Sequence, residues 1–173
     1  MIHLSVSDEV AKYSLNIARK YNLGNRGKAD GTFKQQRIGI AGQKVVSDYL
    51  GVDINFEGGF DGGVDLTYDG KTYDVKTMGR DSIPQKHFVN NLVAMQVNYN
   101  VDRYIFCSLY KTKRILTICG WIDKDDFLKK ATYYKEGVVR NRDNNTKFTT
   151  KFPHYEIKNS DLNEFFLPEG VRY

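Results

Sequence analysis

Three charged residues, Asp65, Asp74 and Lys76, flank the dipeptide Asp69-Gly70. Asp-Gly between two alternating runs indicates a two-residue β-hairpin turn, because both of its positions accept positive φ. The register counted back from that turn places Asp65 directly opposite Asp74. Since side chains alternate between the faces of a strand, the two aspartates and Lys76 are expected to share one face of the hairpin.

The opposed carboxylates indicate a bound cation. Like charges directly across a strand pair destabilise it. A hard divalent ion such as Mg²⁺ removes that repulsion, and it is typically held by one or two carboxylates together with water and phosphate oxygens. With the amine of Lys76 beside it, such an ion would suit phosphodiester hydrolysis, because both stabilise the charge that develops on phosphate. A hairpin whose solvent-exposed face is simply polar, with its register displaced by a bulge, is the alternative.

The rest of the hairpin and its neighbours must position these groups. The other hairpin face is apolar and predicts core packing; it carries Val64, Leu66, Tyr68, Tyr73 and Val75. Ser7 is the predicted N-cap of a first helix, and helical periodicity predicts a second helix from about Phe33 to Leu50. Between this helix and the hairpin, the glycine-rich loop at 58–63 includes Asp61, which with Glu57 is either a reserve metal ligand or an ordinary loop charge.

Further elements are predicted from apolar patterning and turn signals. They are a first strand over 52–57, two central antiparallel strands over 103–110 and 114–122, a short helix from Phe127 to Tyr134, and an edge strand over 155–157. The segment 83–99 fits either a helix or a strand. The sequence therefore predicts an α/β (α+β) protein with one domain over residues 1–173.

An Asp followed by a hairpin and then Asp-x-Lys resembles the signature of the PD-(D/E)XK nuclease superfamily. The segment Arg37 to Gly51 stands where that superfamily often has a helix with a Gly-x-x-Gly-Glu motif, so the resemblance covers Arg37 to Lys76 and, more loosely, the strands that follow. It implies a restriction-endonuclease-like fold, a central mixed β-sheet flanked by helices. It also implies cleavage of DNA, endonucleolytic rather than exonucleolytic, with Asp65 and Asp74 binding Mg²⁺ (or Mn²⁺) and Lys76 assisting the water.

The sequence departs from the superfamily pattern at three positions. Val64 replaces a Pro, Asp74 fills a place more often held by Glu, and Gln43 replaces the helix Glu. Gln43 could orient water or Lys76, but it supplies no negative charge, so the number of bound metal ions stays open. A nucleic-acid-binding protein on the same fold that has lost catalysis is the alternative function.

Composition is consistent with a polyanionic partner. The chain has 173 residues, a net charge of +5 and 40% hydrophobic residues, so DNA is the expected partner and RNA is not excluded. No apolar run reaches 18 residues and no leader pattern is present, which predicts a cytoplasmic protein with no membrane partner. Cys107 and Cys119 lack Cys-x-x-Cys spacing and are predicted to be buried free thiols.

Basic residues in two places are candidates for phosphate contacts. Lys44 neighbours Gln43 in the second helix, and Arg140, Arg142 and Lys147 lie in the polar segment 137–151, which is interleaved with aromatic residues. An exposed lysine and a solvated loop are the alternatives. The superfamily resemblance also allows a homodimer, and the Tyr- and Asn-rich, Pro-poor composition suits a phage or mobile element.

Overall fold

The computed structural model describes residues 1–21, 31–54, 56, 62–141 and 146–165. In this part of the chain, two helices follow the first strand and a third helix separates two runs of strands, which gives a mixed α/β arrangement. The order is β1 (Ile2–Ser5), α1 (Asp8–Tyr21), α2 (Phe33–Leu50), β2 (Leu66–Tyr68), β3 (Lys71–Arg80), β4 (Val89–Val93), β5 (Arg103–Tyr110), β6 (Ile115–Asp123), α3 (Lys124–Lys130), β7 (Thr132–Tyr134), β8 (Val139–Asn141), β9 (Lys147–Thr149) and β10 (His154–Lys158). Short 3₁₀ turns lie at Ala94–Asn98 and Asn159–Asp161.

The main sheet has five strands in the order β1-β6-β5-β3-β2. β3 and β5 are parallel and the other neighbours are antiparallel, so the sheet is mixed, as predicted. A second sheet has the order β4-β10-β7, and β8 pairs with β9 in a separate hairpin. The parallel β3–β5 pair places the centre of the hairpin strand beside a strand whose residues Tyr104 to Ser108 are all buried.

The helix bounds follow from local capping. α2 runs from Phe33 to Leu50, as predicted, because Thr32 and Gln35 form a reciprocal capping box at its start. It ends at Gly51, whose φ of 66° satisfies the last carbonyls through a left-handed turn. At the start of α1, Ser7 Oγ accepts a hydrogen bond from Val10 N at 3.2 Å, which confirms the predicted cap.

Both faces of the main sheet are buried. α1 and α2 cover one face, where the first core cluster includes Val45, Val46, Val75 and Ile105. The opposite face packs against the second sheet and α3 through a second cluster rich in aromatic residues. This second cluster comprises Leu92, Val101, Tyr104, Phe106, Ile122, Phe127 and Ile157. Cys107 and Cys119 are buried free thiols, as predicted.

Several predicted elements were wrong. The described residues of 52–57 form no strand; the strand at the far edge is instead β1, which pairs with β6. The predicted helix at 127–134 is α3, which ends at Lys130 because Thr132–Tyr134 pairs with β10. That pairing also makes β10 the central strand of the second sheet, where an edge strand was predicted. The ambiguous segment 83–99 contains β4 and a 3₁₀ turn.

Candidate functional site

The β2–β3 hairpin has the predicted register. Asp69 and Gly70 have φ values of 50° and 67°, which are the two positive angles that a type I′ turn needs. Tyr68 pairs with Lys71 and Leu66 with Tyr73. The regular pairing stops at Leu66, because Asp65 N also donates to Tyr73 O, at 2.9 Å. Asp65 and Leu66 thus both face Tyr73, as in a β-bulge. The predicted direct pairing of Asp65 with Asp74 is therefore displaced by one residue, as in the alternative interpretation of the hairpin.

The side chain of Asp65 lies along the edge of β3 instead of on one face of the hairpin. Its Oδ2 accepts a hydrogen bond from Val75 N at 2.7 Å, in the place where the next residue of a longer β2 would pair. β2 begins only at Leu66 because Gly62 and Gly63 have φ values of 72° and 86° and turn the chain. Alternation therefore does not extend to Val64, which packs against the second core cluster and not on the predicted apolar face.

Asp74 is the most buried charged residue of the site. Its side chain is 1% exposed, and Lys76 Nζ lies 2.7 Å from its Oδ1. The other carboxylate oxygen, Oδ2, is buried and accepts no hydrogen bond within the described part of the chain. A buried carboxylate oxygen without a donor is costly, so Asp74 Oδ2 marks a position where a ligand would be stabilised.

Strand alternation places Asp74 and Lys76 on the face of β3 that points away from α2. The opposite face is fixed by close packing: a Cβ at Gly42 of α2 would lie 1.8 Å from Thr77 Oγ1. The face with Asp74 is covered by the second cluster. It is therefore not a solvent-exposed polar face, which was the alternative interpretation of the hairpin. The Lys76 side chain is 20% exposed, so this ion pair is partly open to solvent on the lysine side.

Tyr104 of β5 is the residue that pairs with Asp74 of β3 in the main sheet. The two residues are partners in the parallel β3–β5 ladder, and adjacent strands lie about 4.8 Å apart. Burial, and secondarily the charge of Asp74, raise the pKa of the Tyr104 hydroxyl well above its ordinary value. The Tyr104 hydroxyl oxygen is also buried and has no hydrogen-bond partner in the residues that the structure describes. Tyr104 was not among the predicted site residues, because only the strand pairing brings it beside Asp74.

Gln43 lies on α2, which packs on the opposite face of the main sheet from Asp74 and Lys76. Val45 and Tyr49 of the same helix line an open groove of about 390 Å³ with Leu4 of β1, so that flank of α2 faces β1. Gln43 is two residues from Val45, which rotates it about 160° around the helix. Because β1 and β2 are the opposite edges of the sheet, Gln43 is on the flank toward β2, where Asp65 lies.

The predicted phosphate-contacting residues differ in their surroundings. Lys44 forms an ion pair with Asp48 one helical turn away. Arg140 donates to Glu156 Oε2 at 2.8 Å and lies 3.8 Å over the ring of Tyr134, and the bond to Glu156 raises its pKa. Both cations are thus committed to neighbours.

The remaining basic and acidic candidates are only partly covered by the structure. Lys147 is exposed on β9. Arg142 and the reserve ligands Glu57 and Asp61 lie outside the described residues. Within the described residues, no group of three or more His, Cys, Asp or Glu side chains is placed to hold a metal ion. Asp65 and Asp74 are two carboxylates, and such a pair is below that number.

No family model, curated protein or solved structure matches the chain. None of the described helices is long and apolar enough to cross a membrane.

Proposed function

We propose that this protein is a divalent-metal-dependent nuclease that hydrolyses DNA phosphodiester bonds within a strand. One observation supports this above the others: the buried carboxylate of Asp74 has one oxygen 2.7 Å from Lys76 Nζ and a second with no donor among the described residues. Lys76 thus stabilises Oδ1 of Asp74, and Oδ2 is left to bind a cation.

The residues present fit such a cation. Asp74 Oδ2 and the carboxylate of Asp65, on the facing end of the hairpin, supply the hard oxygen ligands that Mg²⁺ or Mn²⁺ prefers. When bound, the ion would polarise the phosphate and lower the pKa of a bound water. The bond from Val75 N to Asp65 Oδ2 fixes that carboxylate against the edge of β3, so its orientation is set before any ligand arrives.

Lys76 and Gln43 have supporting roles. The Lys76 amine neutralises the buried carboxylate and, through its partly exposed position, meets a water or a phosphate oxygen that enters from the edge of β3. Gln43 is on the other face of the sheet, on the flank of α2 toward β2, so its amide would orient a water only by reaching around the edge of β3.

The substrate proposal depends on charge. A net charge of +5 favours a polyanion, and Lys147 is exposed on the β8–β9 hairpin, where it can contact phosphate. We include a homodimer in this proposal, because cutting both strands of a duplex at one place requires two active sites.

Cleavage of supercoiled plasmid tests the proposal directly. With Mg²⁺ or Mn²⁺ the protein is expected to nick and linearise the plasmid, which an exonuclease cannot do to a closed circle, and chelator is expected to stop it. Asp74→Asn and Lys76→Ala are expected to lower the rate by at least 100-fold, because each removes a charged group from the reacting centre.

Asp81 and Lys111 provide matched control variants. They form an exposed ion pair of 2.8 Å beside the far end of β3, so Asp81→Asn and Lys111→Ala make the same chemical changes away from the site. These controls should cleave like the parent. Equal cleavage by the parent, Asp74→Asn and Lys76→Ala would contradict the assignment.

A DNA-binding protein without cleavage is the second candidate. It is favoured by the neutral Gln43 at the helix position and by a hairpin end where the described residues supply two carboxylates, Asp65 and Asp74. In that case the protein would bind DNA with an affinity that falls steeply with salt, and it would leave plasmid intact with every divalent ion.

A further inference from the structure

Two buried oxygens with no hydrogen-bond partner in the described residues lie on neighbouring strands. They are Asp74 Oδ2 and the Tyr104 hydroxyl oxygen. Asp74 and Tyr104 are direct partners in the β3–β5 ladder, so their side chains leave the same face of the sheet side by side. Asp74 is 1% exposed and Tyr104 is fully buried.

Coincidence is a poor explanation for this pair. Buried polar atoms in folded proteins are almost always hydrogen-bonded, to protein or to ordered water. An isolated buried hydroxyl would be less favourable than the phenylalanine ring that fits the same space. The two groups are complementary, because the hydroxyl donates and the carboxylate accepts.

The packing around Tyr104 fixes its ring. The ring centroid lies 5.1 Å from that of Phe127 in an edge-to-face contact and 6.3 Å from that of Phe106. Phe127 in turn stacks on Phe106 at 5.8 Å. The hydroxyl is therefore held in place by the aromatic cluster, and the proximity of Asp74 is also felt in the raised pKa of Tyr104.

We infer that Tyr104 is the positioning residue of Asp74: its hydroxyl donates toward Asp74 Oδ2, through one shared bridging water, and so fixes the carboxylate that would bind the metal. The inference deepens the proposed function and depends on it only for the metal. Removing a residue that hydrogen-bonds to a metal ligand commonly changes metal affinity by 10- to 100-fold. Here the polar group beside Asp74 comes from the neighbouring strand, β5.

A double-mutant cycle in metal-free protein tests the contact between the two residues. Tyr104→Phe removes only the hydroxyl. It is expected to lower the Tm of the parent, and to lower it much less in an Asp74→Asn background, where the partner has changed. A Tyr104→Phe variant that melts higher than the parent or unchanged, or that loses the same amount in both backgrounds, would overturn the inference.

Mn²⁺ affinity, measured by titration calorimetry, tests the consequence. Tyr104→Phe is expected to weaken Mn²⁺ binding by about 10-fold or more. Tyr155→Phe, which removes a hydroxyl from a ring that packs on Phe127 from β10 in the second sheet, should leave it unchanged. Unchanged Mn²⁺ affinity in Tyr104→Phe, in a parent that binds the ion, would also overturn the inference.

The two proposals fail in different ways. A parent that binds no Mn²⁺ contradicts the metal-dependent nuclease, while the metal-free double-mutant cycle still decides whether Tyr104 positions Asp74.

Discussion

The carboxylate of Asp65 accepts a hydrogen bond from the backbone N–H of Val75 at 2.7 Å. Asp65 thus replaces a missing strand residue at the edge of β3, since β2 begins only at Leu66. Val75 belongs to the buried first cluster, and its backbone N–H needs an acceptor, which Asp65 supplies. Asp65 has a structural role in the hairpin in addition to its proposed role as a metal ligand, and the two roles are separable.

Substitutions at Asp65 should separate fold from metal binding. Asp65→Asn keeps an oxygen that accepts from Val75 N, so the free energy of unfolding should change by less than about 1 kcal/mol while Mn²⁺ affinity falls at least 10-fold. Asp65→Ala leaves the amide without its acceptor and should cost about 1–3 kcal/mol. Urea denaturation and calorimetry measure the two effects. Equal stability of the Asn and Ala variants would show that the bond to Val75 contributes little.

Divalent metal should stabilise the folded protein. A ligand that binds only the native state adds about 2.7 kcal/mol at 100 times its Kd. Mn²⁺ is therefore expected to raise the Tm of the parent, and Asp74→Asn should remove that rise because it removes the buried ligand. Asp126→Asn, at an exposed ion pair of α3, is the control and should retain it. A rise of the same size in Asp74→Asn would place the metal elsewhere.

The ion pair between Asp74 and Lys76 should contribute strongly to stability without metal. Lys76→Met leaves the Asp74 carboxylate buried and uncompensated, which costs about 3–5 kcal/mol for fully buried pairs. Because Lys76 is partly exposed, the loss of unfolding free energy should lie toward the lower end of that range. The double variant with Asp74→Asn should recover part of it, because no buried charge remains. Urea denaturation of the single and double variants measures the recovery, and a simple sum of two losses would argue against a coupled pair.

Two glycines of α2 should respond in opposite directions to alanine. A Cβ at Gly39 meets no atom within 4 Å, so Gly39→Ala should stabilise the protein by about 0.5–1 kcal/mol through helix propensity. At Gly42 the Cβ would lie 1.8 Å from Thr77 Oγ1, and separating α2 from β3 should cost about 1–3 kcal/mol. Chemical denaturation of the pair measures the contrast. If both variants were stabilised, α2 would not approach β3 at Gly42.

Adding a carboxylate at Gln43 tests whether α2 reaches the site. Gln43→Glu is expected to strengthen Mn²⁺ binding, because a third anion near the ion deepens the local potential. Without metal it should lower the Tm slightly, since three carboxylates then lie close together. Gln35→Glu adds the same charge to the exposed capping box of α2 and should leave Mn²⁺ affinity unchanged. A loss of stability in Gln43→Glu of the same size with and without Mn²⁺ would remove Gln43 from the site.

The sequence by itself determined the local features of this protein. The turn at Asp69-Gly70 set the register that brings Leu66 opposite Tyr73, because the positive φ of a type I′ turn leaves a single pairing of the flanking residues. The bounds of α2 followed in the same way from Thr32 and Gly51, whose backbone and side chains satisfy groups within a few residues. In each case the deciding contacts lie close along the chain.

Only the tertiary structure decided what surrounds the hairpin. The burial of Asp74 depends on the second sheet, and its pairing with Tyr104 joins residues 30 positions apart through a parallel ladder that has no local sequence signal. β10 is the central strand of the second sheet and not the predicted edge strand, because β7 also pairs with it. Strand partners that are far apart in sequence are selected by packing. Alternation predicted which residues of β3 share a face, but which face is covered, and by what, is a property of the assembled layers.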